Sequence, residues 1–436
     1  FPAQKVTGYL ENHRQGFDLF GDRAFYQIPD MEMKDKNVIN RLVHEVATGN
    51  NATLFDHSSD DRPLAVDFAA AARMLVVAQA YSLGFGKASS AKVKGIDVPR
   101  PYLTDGVALR GVTLWLSGDN LFQTLMMNLV PPGDSETGQA PWELAGPMSL
   151  MDRVENGTRV ISKVRGIVDL YTVQSRMLRL LPDDDGKVRH VYFTSGRSVD
   201  MEGKDPMKVY VESKTEGVYP LGLRVDKAAW RDLHTFLQFG KLRNSILSFA
   251  ALLIEEGELA PHYRFWVNVA GLATEPGKAG KFLLWRQERF SVPGRVLQNE
   301  SLLGLITMAI QSAEEVAADL RSRVQSVVRE IVPPEGRPDP ADVRRLVDSL
   351  DPLSSYWSRL EHDFLLFMTR LTDDPEDALS RWYAQVEKQA ARSFAETCDY
   401  LGRGPKTWKA LARVSGRFTA DLAKRAQDNE NAGKKK

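Results

Sequence analysis

The side chains able to do chemistry in this 436-residue chain are few and widely spread. His57 stands among Asp56, Asp60 and Asp61, a set that could ligate a metal ion or exchange a proton. A metal-dependent phosphodiesterase, however, draws His and Asp ligands from several places in the chain. No second cluster is visible. His13, His44, His190, His234, His262 and His362 are scattered, without H-x-x-x-H or H-E-x-x-H spacing. There is no G-x-S-x-G elbow. The single cysteine, Cys398, lies on the apolar side of a helical pattern and reads as a buried, inert thiol. One cysteine excludes an internal disulfide and a multi-cysteine zinc site. The sequence therefore points away from catalysis, with no metal and no cofactor.

Two other groupings suggest anion binding. Gly84, Gly86 and Lys87 open a stretch that continues with Lys92, Lys94 and Arg100. It reads either as a solvated, flexible connection or as a phosphate-contacting loop, since glycines let backbone N–H groups approach an anion. No G-x-x-x-x-G-K-[ST] loop is present, so no nucleotide site follows. Near the C-terminus, Lys406, Lys409, Arg413, Arg417 and Lys424 recur at helical spacing, away from Trp408, Leu411, Val414 and Phe418. Asp421 is the one acid from Arg403 to Arg425. This is either the polar side of an amphipathic helix or a phosphate track. Lysine plus arginine equal aspartate plus glutamate, 57 each. A whole-surface nucleic-acid binder is thus disfavoured, while local patches stay open.

The elements that position these residues fall into two patterns. Asn50–Asp61 is a polar loop expected to sit on the N-terminus of a buried helix over Leu64–Tyr81, with Asp61 as cap and Pro63 in the first turn. Asp35–Val46 is expected as a helix and Ala24–Ile28 as extended, with Phe17, Leu19, Phe20, Phe25 and Tyr26 in the core. Strands are expected at Val112–Leu116, Val160–Arg165, Ile167–Thr172, Ser175–Leu181, Val188–Thr194 and Lys208–Val211, and helices at Leu121–Leu129 and Asp226–Phe239. Tyr263–Ala270 and Phe282–Phe290 form a hairpin whose exposed tip is Gly271–Lys281. Then the period changes. A long amphipathic helix spans Val296–Ile331, and Asp339-Pro340, Asp374-Pro375 and Gly404-Pro405 open three more. The fold class is α+β, a mixed N-terminal domain followed by a C-terminal antiparallel four-helix bundle. The expected division is 1–292, 293–428, and a disordered basic tail, 429–436. No apolar run approaches a membrane span and no signal peptide is visible, so the cytoplasm is the expected location.

Five segments in order resemble one family. They are Glu11–Gln27 (ENHRQGFDLFGDRAFYQ), Asn51–His57 (NATLFDH), Leu114–Pro131 (LWLSGDNLFQTLMMNLVP), Asp169–Pro182 (DLYTVQSRMLRLLP) and Asp205–Tyr210 (DPMKVY). With the C-terminal bundle, they resemble CasA, the large subunit of the type I-E CRISPR complex Cascade. Family members carry a further N-terminal segment, which a chain starting at Phe1 is expected to lack.

The resemblance implies a non-catalytic subunit that reads the protospacer-adjacent motif (PAM) in duplex DNA, mainly from the minor groove. It then opens the duplex so that guide RNA can pair. By position, the family's glycine loop resembles Gly84–Lys87 and its basic finger falls at Arg197. Its wedge falls on Gly271–Lys281, with Thr274, Lys278 and Lys281 facing DNA. The family glutamine at the wedge tip is absent here. Asn51, Leu54, Phe55, Asp56 and His57 resemble the loop that docks toward the guide end and neighbouring subunits. The implied partners are the backbone subunits, the small-subunit dimer, the guide-end subunit, CRISPR RNA, PAM-bearing DNA and a helicase-nuclease. Metal-dependent phosphodiesterase and purely protein-binding scaffold are the competing readings.

Overall fold

The computed structural model describes residues 2–46, 56–84, 86–98, 100–131, 137–144, 154–155, 158–159, 162–200, 205–274, 282–332 and 339–433. The fold is α+β with a helical C-terminal region. The chain forms two compact units. The first holds residues 1–115, 128–227 and 268–288. The second holds 116–127, 228–267 and 289–436. Residues 116–127 and 228–267 thus group with the C-terminal helices, although they precede them in the chain.

The first unit is built on an antiparallel hairpin, Arg176–Pro182 paired with Val188–Ser195, and edged by Asn37–Val38. The Asp183–Gly186 turn and both strands fall where the alternation of apolar residues put them. The Phe68–Tyr81 helix lays Ala71, Leu75 and Ala78, spaced four and three residues apart, against Leu178, Leu180, Val191 and Phe193. Each fully buried leucine or phenylalanine there contributes roughly 1.5–3 kcal/mol.

Several local expectations give way to tertiary structure. The helix begins at Phe68, not Leu64, and its cap is Asp67, whose carboxylate accepts from the Ala70 N–H at 2.7 Å. Asp61 caps nothing there; it lies in a turn that precedes the helix. Residues 35–46 hold the short Asn37–Val38 strand and a 3-10 turn, Ile39–Leu42, because the strand edge claims the backbone groups that a helix would pair internally. Ala24–Ile28 consists of turns rather than a strand. Tyr26 is buried and Leu19 and Phe25 pack on the core, but Phe17 and Phe20 are exposed. Ile167–Tyr171 is a short helix, not extended. The Asp226–Phe239 segment is a 3-10 turn, Ala229–Asp232, followed by one helical turn, Leu233–Phe236.

The long hairpin, Arg264–Thr274 and Phe282–Pro293, forms a three-stranded sheet with Thr113–Ser117. Its residues 268–288 belong to the first unit. Its tip lies outside the described residues.

In the second unit, Glu300–Ile331 is about 48 Å long at 1.5 Å per residue. Asn299 interrupts the expected Val296–Ile331 helix, because its side chain accepts from the Ser301 and Leu302 N–H groups as a cap. Asp339 and Asp374 cap the helices that begin at Pro340 and Pro375. A third Asp-Pro, Asp351-Pro352, splits the expected second helix into Pro340–Leu350 and Pro352–Arg370, with Asp351 in the left-handed region (φ 40°). The last two helices are Pro375–Asp399 and Pro405–Gly433.

Cross-helix contacts run in opposite order along each pair. Glu330 meets Arg413, Arg323 meets Asp421 and Asp319 meets Arg425; likewise Ser355 meets Ser393 and Asp363 meets Gln389. These neighbours are antiparallel. Trp382 Nε1 donates to Ala309 O (2.7 Å), and the Tyr356 hydroxyl donates to Ala313 O (2.9 Å). Trp230 stacks on Phe364 with ring centroids 4.7 Å apart, which explains why residues 228–267 share this unit. Cys398 is buried, and burial pushes its thiol up to about 12. Among the described residues no helix is long and apolar enough to cross a membrane.

Candidate nucleic-acid interface

The Gly84–Lys87 loop leaves the C-terminal end of the Phe68–Tyr81 helix, and the packing beneath it explains its glycines. A Cβ on Gly84 would lie 2.4 Å from backbone atoms of Thr104 and Asp105, so only glycine allows that approach. The Gly84 N–H donates to Asp105 Oδ1 at 2.7 Å. Gly86 has φ +70°, in the left-handed region. Lys87 is exposed and bridges to Tyr102 across the next turn.

This loop is held from below. Arg176, buried to 1% exposure, donates to the carbonyls of Ser175 (2.9 Å), Leu83 (2.9 Å) and Thr104 (2.7 Å). Gln79 fixes the strand that carries Arg176. Its Nε2 donates to Arg176 O (3.0 Å), and its Oε1 accepts from the Arg176 N–H (2.9 Å). Ser175 Oγ in turn donates to Gln79 O (2.6 Å). The Gln174-Ser175-Arg176 segment is therefore a clamp on both limbs of the glycine loop. Each bond from a charged donor is roughly twice as strong as a neutral pair.

The hairpin stem meets the same helix end. Trp285 packs edge-on against Tyr81, ring centroids 5.1 Å apart. Arg286 anchors the stem on the carbonyls of Arg224 (3.1 Å), Val225 (3.0 Å) and Lys227 (2.5 Å). The structure thus joins the glycine loop and the hairpin stem through one helix terminus. Thr274 ends the first strand of the hairpin, while Lys278 and Lys281 lie outside the described residues.

Arg197 is placed differently from a free finger. Its guanidinium makes a two-point ion pair with Asp169 and donates to Lys163 O at 2.9 Å. The two side chains are only 12% and 10% exposed. Its charge is already answered, and the pair fixes the turn after Gly196, where a Cβ would strike the Gln174–Arg176 backbone.

The stretch 87–102 is more ordered than a flexible basic loop. Lys92–Val93 and Ile96–Asp97 form a small hairpin; Lys92 faces Asp97 at 3.9 Å and Lys94 faces Asp30 at 3.6 Å. Tyr102, 67% exposed beside Lys87, was not among the residues singled out by charge or motif. Only its place in the fold marks it, since a lone tyrosine in a loop carries no sequence signal.

Lys406, Lys409, Arg413, Arg417 and Lys424 all lie on the exposed side of the last helix, opposite Ala410, Val414, Phe418 and Leu422. Arg413 is partly engaged by Glu330 at 3.3 Å. Lys409, Arg417 and Lys424 make no ion pair among the described residues. Trp408, expected on the buried face, is instead exposed, because the buried row runs through Thr407 and Ala410.

Of the docking loop, Asn51, Leu54 and Phe55 lie outside the described residues. The Asp56 carboxylate accepts from the Ser58 N–H (3.0 Å) and hydroxyl (2.8 Å), and His57 is exposed. Among the described residues, no three His, Cys, Asp or Glu side chains gather as metal ligands.

One further group has the marks of chemistry. A cavity of about 330 Å³, walled by Tyr26, Tyr81, Trp115 and Tyr171, reaches Lys208. Burial lowers Lys208 from the usual lysine value to about 8. Its ammonium donates to Ala108 O (2.7 Å), Gly111 O (3.1 Å) and Thr113 Oγ1 (2.8 Å), which uses all three protons. Lys208 is thus a strut between chain segments. Burial, and then the neighbouring Asp205 carboxylate, raise the Tyr171 hydroxyl above its usual range.

Comparison with known proteins agrees with this architecture. A family model described as CRISPR-associated protein Cse1 matches residues 1–393. The CRISPR-associated protein CasA/Cse1 of Thermus thermophilus is 29% identical over 435 residues, spanning 96% of this chain and 81% of the relative. The crystal structure of Thermus thermophilus CasA superposes with a TM-score of 0.78 at 26% identity, covering 97% of this chain and 84% of that one. A chain of a CRISPR RNA-guided surveillance complex shares the fold, with a TM-score of 0.74 at 21% identity over 97% and 82% of the two chains. With nine-tenths of its length matched by the family model, this chain belongs to the CRISPR-associated Cse1/CasA family, the large subunits of the type I-E Cascade complex.

Proposed function

We propose that this chain is the non-catalytic, PAM-reading large subunit of a cytoplasmic type I-E Cascade. Its partners are the backbone subunits, the small-subunit dimer, the guide-end subunit, CRISPR RNA, the PAM-bearing duplex and a helicase-nuclease. The observation that carries this reading is the pinned Gly84–Lys87 loop, joined to the hairpin stem through Tyr81 and Trp285. A rigid backbone with a small, positively charged lip suits the minor groove, whose degenerate edge pattern permits only short, tolerant motif reading. A hairpin beside it can wedge into the duplex. Separating one base step costs a few kcal/mol, within reach of a wedge and several phosphate contacts.

In this account Gly84, Gly86 and Lys87 face the groove, and the hairpin tip with Thr274, Lys278 and Lys281 separates the strands. Arg197 acts by holding the 196–199 turn through Asp169. The Asn51–His57 loop docks on the guide end. Lys406, Lys409, Arg413, Arg417 and Lys424 hold a DNA strand.

The test compares closed PAM-bearing duplex with a target already opened at the same site. Lys278→Ala is expected to weaken closed-duplex binding about fivefold, roughly 1 kcal/mol, and to leave the opened target unchanged. Equal losses on both would remove the hairpin from strand separation. Arg197→Ala is expected to lower thermal stability and, as an anchor should, to weaken binding in step with that loss. A loss confined to the closed duplex, without a stability change, would make Arg197 a direct DNA contact.

A further inference from the structure

The turn between the last two helices exposes two aromatic side chains that the fold does not use. Tyr400 is 82% exposed and Trp408 60%, the largest exposures of any tyrosine or tryptophan among the described residues of this unit. Other tryptophans of the unit are covered or half-covered: Trp230 and Trp382 are buried, and Trp266 lies under Arg289 at 4.0 Å. The residues four positions before and after Trp408 are Gly404 and Ala412, too small to cover an indole.

Asp399 directly precedes Tyr400, and beyond it the charge has one sign. From Tyr400 to Ala420 the chain carries Arg403, Lys406, Lys409, Arg413 and Arg417 and no acid. Exposed rings set among cations are the composition of a surface that takes unpaired nucleic acid. Every base offers a π-face, and every linkage offers a phosphate. A protein-docking face shares the enrichment in Tyr, Trp and Arg but is depleted in lysine, which Lys406 and Lys409 supply here.

We propose that Tyr400 and Trp408, with Arg403, Lys406 and Lys409, form a stacking platform for the unpaired DNA strand released when the duplex opens. Bases stack on the two rings while the cations hold the backbone. This rests on the function proposed above and adds to it the strand's state and the residues that read it. A duplex, whose bases are stacked on each other, has no free face to offer these rings.

The test uses the full chain within its assembled complex and a fluorescent 20-nucleotide oligothymidine, titrated at several salt concentrations. Trp408→Leu is expected to weaken binding by about 5- to 100-fold with the salt slope unchanged, because stacking releases no counterions. Trp408→Phe is expected to retain most of the affinity. Wild-type affinity in the leucine variant, a phenylalanine variant as weak as the leucine one, or no oligothymidine binding by the wild type would each overturn the proposal. So would a leucine variant that fails to join the complex but, as a free chain, binds the oligonucleotide normally, since that marks a protein-docking face. Oligothymidine carries no PAM. A wild-type complex indifferent to the PAM would therefore count against the function proposed above while leaving the Trp408 result to be read on its own.

Discussion

The glycine loop and the basic face of the last helix are both suited to phosphates, and they are built by opposite means. At the loop, Leu83, Gly84 and the facing Thr104–Asp105 backbone are fixed from beneath. Arg176 reaches two segments 93 and 72 residues away in sequence, and Thr104 and Asp105 crowd Gly84. On the last helix the cationic side follows from helical spacing, and the helix is tied to its neighbour by its buried row and a few ion pairs. Five cations project from one side of an amphipathic rod, and Arg413 among them leans on Glu330. The first arrangement can read shape, because it does not yield. The second can hold a strand of any sequence, because it does not select. Substitutions should therefore act on folding and discrimination together at the loop, and on charge alone at the helix.

The largest effect is expected from Arg176→Met. It strips a cationic donor from three carbonyls, one buried and two part-buried, each charge-assisted bond being worth about 1.5–3 kcal/mol. A loss of about 3 kcal/mol or more is expected, or roughly 10 °C in melting temperature for a unit of this size. A variant melting with the wild type would show that the clamp is incidental.

Lys208 tests the same buried constraint by pH. Burial lowers its folded-state value to about 8 from an ordinary 10.5. Between those two values the unfolded chain binds more protons than the folded one. Wild-type stability should therefore rise with pH across pH 8–10.5, by at most about 1.4 kcal/mol per unit, and this contribution is flat below pH 8. Lys208→Met should lose that rise. Parallel pH profiles for the two proteins would contradict the assignment.

Gly84→Ala probes the loop itself. Its Cβ must displace rigid backbone, so affinity for PAM-bearing duplex should fall about tenfold while binding to an opened target persists. At the helix, neutralising Lys409, Arg417 and Lys424 should leave the melting temperature within about 1 °C, as surface changes do. It should flatten the salt dependence of strand binding by up to about 0.9 per lost phosphate contact. An unchanged slope would reduce the stripe to a solvated face.

What the sequence revealed tracks how local each cause is. The Arg176–Ser195 hairpin, the long hairpin and the helix starts at Pro340 and Pro375 follow from alternation, turn residues and caps within a few positions. A third Asp-Pro, Asp351-Pro352, carried the same signal and splits a helix whose apolar spacing runs on unbroken. Asp61 and Asp67 are equally good caps by type; the bridge of Val66 to Val188 decides between them by holding the chain extended until residue 67. The partners of Arg176 and Arg197 are set by tertiary structure, so their charges read as binding groups until their neighbours are known. Trp408 counts as apolar in any periodicity, and only the neighbouring buried row shows that it faces outward. The glycine loop was legible as a motif, while the reason for Gly84 was not, because Thr104 and Asp105 press on it from about 20 residues away.

PAM reading is measured as duplex binding by the assembled complex, with and without this chain, on targets that differ only in the PAM. Affinity for the PAM-bearing duplex is expected to require this chain, while a pre-opened bubble, which needs no strand separation, is expected to lose much less when the chain is left out. Binding that ignores the PAM, or a bubble that needs the chain as much as the duplex does, would contradict this expectation.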